Sequence, residues 1–293
     1  MERRTVFGGW LLPMLLVLPQ LLLTGFFFYW PAGQAVWSSL TTQDAFGEGV
    51  VFVGLDNFLE LFSDPLYRDS VVRTVMFCLT VSALAMSLAL ALAVFADKEI
   101  RGKRAYRTLL IWPYAIAPAM SAVLFLFILD PRVGLIGRRL NQFGIDWDYH
   151  LNGGQAMLMV VLASAWKQVS YNFIFFLAGL QSIPRAVTEA ARMDGAKGWH
   201  RFRTITFPLL APTTFFLLVV NVVYAAFDTF GTINALTHGG PGKDTETLVL
   251  KVFRDGVINQ DIGSSSAQSV ILMLGVIAIT AVQFRFMGKK VTE

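Results

Sequence analysis

The chain has 293 residues, 55% of them apolar and only 15% charged, with 24 Lys and Arg against 20 Asp and Glu. Soluble proteins average about 45–50% apolar and about 25% charged residues, so this composition excludes an ordinary soluble domain. The net charge of +4 does not mark a nucleic-acid binder, because the basic residues adjoin apolar runs and form no soluble patch.

In chain order, six apolar runs cover about 10–30, 71–96, 107–129, 156–181, 208–230 and 267–287. About 20 helical residues cross a hydrocarbon core of about 30 Å, so all six are long enough to span. A backbone in lipid must satisfy its own hydrogen bonds, and runs of this length do so as helices. The expected fold is an all-α membrane protein with six transmembrane helices. It divides into a first helix with its outer segment, 1–70, and a five-helix core, 71–293, that carries a cytoplasmic loop at 182–208. Arg3 and Arg4 precede the first run as they would in a signal peptide. The apolar stretch is too long for one, and no small-x-small site precedes Trp30-Pro31, so it reads as an uncleaved helix.

Segment 31–70 reads as ordered, with a turn and apolar anchors in Phe52–Phe58 and another turn at Asp64-Pro65. In the second run, Ala83, Ser87 and Ala91 are spaced by four, which allows close approach of a neighbouring helix. The third run begins Trp112-Pro113-Tyr114 and continues to Pro118, which predicts a kink or an unwound turn.

The fourth run carries Ser164, Lys167, Gln168 and Tyr171 on one face, at helical spacing, with Asn172 beside them. The fifth carries Asn221, Tyr224 and Asp228. A Lys at mid-membrane costs about 2.5–3.5 kcal/mol on insertion scales, so Lys167 should face protein or water. These residues read either as a polar stripe along a substrate path or as interhelical hydrogen bonds, with Lys167 snorkelling or paired to an acid. The two helices run antiparallel, so Lys167 should lie near the depth of Asn221 and Tyr224.

Between the fourth and fifth runs, Glu189, Ala190, Ala191, Asp194 and Gly195 read as a short helix that stops at Gly195. A second amphipathic stretch, Trp199 to Ile205, leads into Pro208, which suits a first helical turn. Two short helices at an angle would form a knob able to fill a groove on a partner.

Lys and Arg set the orientation. With the N-terminus inside, Arg3, Arg4, Lys98, Arg101, Lys103, Arg104, Arg107, Arg185, Arg192, Lys197, Arg201, Arg203, Arg285, Lys289 and Lys290 fall on the inner side. Only Arg68, Arg73, Arg132, Arg138, Arg139, Lys243, Lys251 and Arg254 fall outside. That is the positive-inside bias, and it puts both termini and the 182–208 loop in the cytoplasm. No Walker A sequence, nucleophile elbow or Cys/His cluster is present, so no catalytic residue and no metal ligand is assigned.

The series Glu189-Ala190-Ala191, Gly195, Ile205, Pro208 resembles the pattern of permease subunits of binding-protein-dependent ABC importers. Phe207 stands where that pattern has Leu. Leu236–Pro241 with Thr245–Leu248 is similar to the carbohydrate branch of the family. Lys167–Phe173, Gln181–Arg185 and Tyr224–Phe230 resemble A-type permeases of sn-glycerol-3-phosphate importers.

The resemblance implies a multi-pass subunit of the cell inner membrane, without enzymatic activity, surrounded by lipid. Its partners would be a second permease, an ATPase dimer and a periplasmic or extracellular solute-binding protein. Glu189, Ala190, Ala191, Asp194 and Gly195 would dock in the ATPase, with Ile205 and Pro208 at the membrane edge. ATP and Mg would bind the partner ATPase, and this chain would hold no cofactor. Two rival readings are a permease for a neutral sugar and an ion-coupled secondary transporter. A membrane scaffold is a third, which buried polar stripes argue against.

Overall fold

A computed structural model describes residues 10–43, 49–97 and 103–288. In order the elements are α1 (Leu11–Thr24), a π turn (Gly25–Tyr29), α2 (Trp30–Ser39), β1 (Thr41–Gln43), β2 (Val50–Phe52), α3 (Asp56–Ser63) and α4 (Pro65–Asp97). Then come α5 (Lys103–Ile111), a 3-10 turn (Trp112–Ala115), α6 (Pro118–Leu129), α7 (Leu135–Gln142) and α8 (Gly153–Ser182). The loop that follows holds α9 (Arg185–Met193), α10 (Gly198–Arg201), a π turn (Phe202–Thr206) and α11 (Phe207–Leu209). The remainder is α12 (Ala211–Val223), a π turn (Tyr224–Asp228), α13 (Phe230–Thr237), α14 (Leu248–Phe253), a π turn (Arg254–Ile258) and α15 (Ile262–Gly288).

Among the described residues, five helices are long and apolar enough to cross a membrane: Leu11–Ser39, Pro65–Asp97, Gly153–Ser182, Ala211–Asp228 and Ile262–Arg285. A sixth span exists only if Arg104–Ala115 and Pro118–Leu129 count as one, and these are bent by 106°. The expected kink is therefore a full break. Pro118 confines Ala117 to extended backbone, and Ile116 is extended as well, so two successive residues re-aim the chain. The first helix outlasts its expected end at residue 30 and continues through Pro31 to Ser39. Of the basic residues that set the orientation, Arg3, Arg4, Lys98, Arg101, Lys289 and Lys290 lie outside the described residues.

The chain forms two compact units, Met1–Asp64 with Val252–Ile271, and Pro65–Lys251 with Leu272–Glu293. In the first unit β1 and β2 pair antiparallel with Thr41 opposite Phe52. Asn57 ties them to the helix before by donating from Nδ2 to the carbonyls of Ser39 at 2.9 Å and Thr41 at 3.0 Å. Gly263 passes so close to the Thr41 carbonyl that a Cβ there would come to 2.6 Å, so only Gly fits.

In the second unit α4 and α8 form the main helix pair. Ala89, Ala93 and Ala96 pack against Phe173, Phe176, Leu177 and Leu180 of α8, with Leu210 and Leu217 from the segment around α12. Lipid tails are as apolar as these side chains, so close van der Waals packing holds the seam and small residues permit it. The buried stripe is Ala85, Ala89 and Ala93; the expected one, Ala83, Ser87 and Ala91, lies on the exposed face. At the α8–α12 crossing Gly179 does the same job, since a Cβ there would meet Leu210 Cδ2 at 2.9 Å. After α6, Asp130 accepts hydrogen bonds from the backbone N–H of Arg132 and Val133. Those donors hold its carboxyl below the usual carboxylate range.

Candidate functional site

Helices α8 and α12 cross with their polar residues in register. Asn172 and Asn221 exchange a pair of amide hydrogen bonds, at 3.0 and 2.7 Å, and Asn221 also donates to the Leu217 carbonyl at 2.7 Å. Both side chains are fully buried. A few residues on, Tyr224 Oη donates to the Ser164 carbonyl at 3.3 Å. Lys167 and Gln168 lie between these two contacts along α8, as the antiparallel arrangement requires.

Each member of the predicted stripe can now be placed. Asn172, Asn221, Ser164 and Gln168 are buried within the chain, and Tyr224 is nearly so. These residues form the seam between helices. Lys167 and Tyr171 are half-buried at its edge, and Asp228 is exposed. Asp228 closes no salt bridge with Lys167. It stands at the end of the π turn Tyr224–Asp228, which sets its direction relative to Tyr224. Single π turns inside α-helices are frequent at functional sites.

Tyr171 belongs to an aromatic row. Its ring lies 5.7 Å from that of Tyr114 and 4.8 Å from that of Phe175, and Phe175 lies 5.2 Å from Phe216. Tyr114 sits in the 3-10 turn Trp112–Ala115, so the break between α5 and α6 delivers an aromatic to the edge where Lys167 emerges. In sequence, Trp112-Pro113-Tyr114 points only to a kink. The paired prolines mark the break, but nothing in local spacing ties it to α8.

The 182–208 loop has its own geometry. Helix α9 ends with the Gly195 amide donating to the Arg192 carbonyl at 3.1 Å and the Ala196 amide to the Ala191 carbonyl at 3.0 Å. This is the Schellman arrangement, and Gly195 takes the left-handed conformation it demands, with φ +77°. Ala190 and Ala191 do not share a face: Ala191 is buried, while Glu189, Ala190 and Asp194 are exposed. Met193 is 88% exposed and Trp199 is 74% exposed. Trp199 stacks on Phe202, with ring centroids 5.6 Å apart. Ile205 is half-buried and Pro208 exposed. The first turn of the span that follows is occupied by Pro212, because Leu210 breaks the helix between α11 and α12.

Apolar spans, a polar interhelical seam with a cation at its edge and a projecting helix between two spans define a multi-pass membrane protein of the transporter class. Residues 63–292 match the family described as the inner membrane component of binding-protein-dependent transport systems, and the chain belongs to that family. Its members are components of transport systems, and this chain is not an enzyme.

The chain is 57% identical over 289 residues to the sn-glycerol-3-phosphate transport system permease protein UgpA of Brucella abortus biovar 1, covering 99% of each. It is 54% identical over 280 residues to the UgpA of Yersinia pseudotuberculosis serotype I, covering 96% of this chain and 95% of that one. Among solved structures it is similar to a bacterial ABC transporter involved in the import of the acidic polysaccharide alginate. The TM-score is 0.80 at 21% identity over 96% of both chains. A second structure of an alginate ABC transporter, bound to its periplasmic protein with an alginate pentasaccharide, gives a TM-score of 0.79 at 20% identity over 96% and 95%. At that identity the two structures speak to the fold alone.

Proposed function

We propose that this chain is one of two permease subunits of an ATP-driven, binding-protein-dependent importer of sn-glycerol-3-phosphate in the cell inner membrane. The observation that carries the reading is 57% identity over 99% of the chain to a permease protein of that transport system. A periplasmic binding protein delivers the solute to the outer face. The companion seen with a neighbouring fold supports this partner.

A separate ATPase dimer binds ATP and Mg. It grips the α9 knob through Glu189, Ala190, Ala191, Asp194 and Gly195, with Ile205 and Pro208 at the membrane edge. Closure of the dimer moves the knobs of the two permeases together and opens the membrane cavity outward. The solute shifts that equilibrium only through unequal affinity for the two states. Lys167, beside Tyr171 at the open edge of the seam, gives a phosphate a compensating point charge as it leaves water.

Deletion of the gene tests the reading. Uptake of labelled sn-glycerol-3-phosphate should fall to background and return with a plasmid copy. Unchanged uptake of that solute, with loss of uptake of a neutral sugar, would overturn the solute assignment and leave the importer class in place.

A further inference from the structure

A groove of about 590 Å³ lies between the upper parts of α4 and α8. Its walls are Val72, Met76 and Phe77 from α4 and Met157, Leu158 and Val161 from α8, with two charged residues, Arg73 and Asp244, among its lining. Val72, Met76 and Leu158 are exposed apolar side chains. Thr80, the polar side chain lower in the wall, turns its hydroxyl back to the Met76 carbonyl at 2.7 Å.

Arg73 is poorly compensated. Its Nη2 lies 3.8 Å from Asp69, and its Nη1 is shielded from solvent without a hydrogen bond. Asp244 sits over the first residue of α8, its carboxylate filling the space a Cβ on Gly153 would take. The helix start is capped by the Asn152 side chain, which accepts from the Gln155 amide, so Asp244 is left to face the groove, and Arg73 is the cation of its lining. Asp244 remains exposed.

Depth decides what chemistry meets these residues. At 1.5 Å per residue, about 36 Å of helix separates Arg73 from Asp97 at the other end of α4, and about 26 Å separates Thr80 from it. The hydrocarbon core is about 30 Å thick. With Asp97 taken as the far edge of that core, Arg73 stands at headgroup level, while the groove below it enters the acyl region. The same distance along α8 from Ser182 puts Leu158 at the level of Arg73. A groove that is ionic at headgroup depth and apolar beneath matches a phospholipid.

We propose that this groove is a phospholipid site for a zwitterionic headgroup bearing a primary ammonium. The phosphate meets Arg73, the ammonium meets Asp244, and one acyl chain runs along Val72, Met76 and Thr80 of α4, opposite Leu158 and Val161. A purely anionic headgroup fits less well, because Asp69 and Asp244 both stand nearby.

The test uses the assembled importer in lipid nanodiscs doped with a photoactivatable phosphatidylethanolamine, and with a phosphatidylglycerol of the same acyl chain. The ethanolamine probe should label peptides covering 72–80 and 157–161 at least fivefold more than the glycerol probe. Arg73→Gln should reduce that labelling at least fivefold, and Arg73→Lys should retain it. Asp244→Asn should erase the preference between the two probes, which holds the proposal open to refutation even if Arg73→Gln fails to assemble. Labelling absent from both segments would overturn the site. So would a Met76→Cys variant that cross-links to the second permease in good yield, because a protein helix would then fill the groove. Equal labelling by the two probes in the wild type would overturn the role of Asp244.

Discussion

Lys167 and Asn172 lie a few residues apart on α8, in different surroundings: Asn172 pairs with Asn221 of α12, and Lys167 sits at the edge of the seam. The asparagines satisfy each other in a fully buried seam, so losing Asn221 leaves the Asn172 amide without a partner. That costs about 1–3 kcal/mol in a protein interior, and about 0.6–2 kcal/mol between membrane helices. Asn221→Ala should lower the Tm of the detergent-solubilised complex while leaving the KM for solute unchanged. The double variant Asn172→Leu with Asn221→Leu, which has no polar atom left to satisfy, should recover part of the loss. A raised KM at unchanged Tm would put the pair on the solute path. Lys167 differs because it is half-buried and makes no salt bridge among the described residues. Lys167→Met should assemble normally and keep basal ATP hydrolysis. Uptake efficiency should drop about tenfold to a hundredfold, from the loss of about 1.5–3 kcal/mol of charge-assisted contact. Uptake within twofold of wild type, at equal membrane abundance, would remove Lys167 from the path. Helical spacing found both groups but could not divide them. Periodicity places residues on a face, and whether that face meets a cavity or another amide depends on the partner helix.

At the scale of elements the sequence was most legible where a residue type has one physical use. Gly195 stops α9 in a left-handed conformation, and the Schellman bonds follow from it. No atom lies within 4 Å of where its Cβ would be, so substitution there strains only the backbone. A non-glycine residue in this conformation costs roughly 1–2 kcal/mol, and Asn tolerates it best. Gly195→Ala should therefore lower the ratio of solute transported to ATP hydrolysed, and Gly195→Asn should stay nearer the wild type. Both ratios are read from one proteoliposome assay. Equal ratios for all three would detach coupling from this turn. Elements were least legible where two choices satisfy the same pattern. Ala83-Ser87-Ala91 and Ala85-Ala89-Ala93 both repeat every four residues in a helix apolar nearly all round, so spacing alone could not say which stripe meets α8. The bend at Ile116-Ala117 was half legible. Pro118 accounts for an extended Ala117, but the further extension at Ile116, which completes the turn through 106°, has no local signature.

For the whole molecule the open physical statement is orientation. By the positive-inside rule, the excess of Lys and Arg on one set of loops predicts a cytoplasmic α9 knob, the side on which an ATPase would have to dock. The chain suits a direct measurement, because Cys78 is its only cysteine and is buried within α4. Background labelling by an impermeant thiol reagent should accordingly be low, and Cys78→Ala removes it altogether. Lys197 is exposed between α9 and α10 and makes a clean reporter. Lys197→Cys should react with a membrane-impermeant maleimide in inside-out vesicles and stay unreactive in intact spheroplasts. A cysteine at Leu151, 83% exposed in the loop before α8, should show the reverse pattern. The two positions flank α8, which is long enough to cross the membrane once, so their labels must fall on opposite sides. Labelling of Lys197→Cys from outside would reverse the topology and remove α9 from the ATPase. Labelling of both positions from one side would mean that Gly153–Ser182 does not span at all.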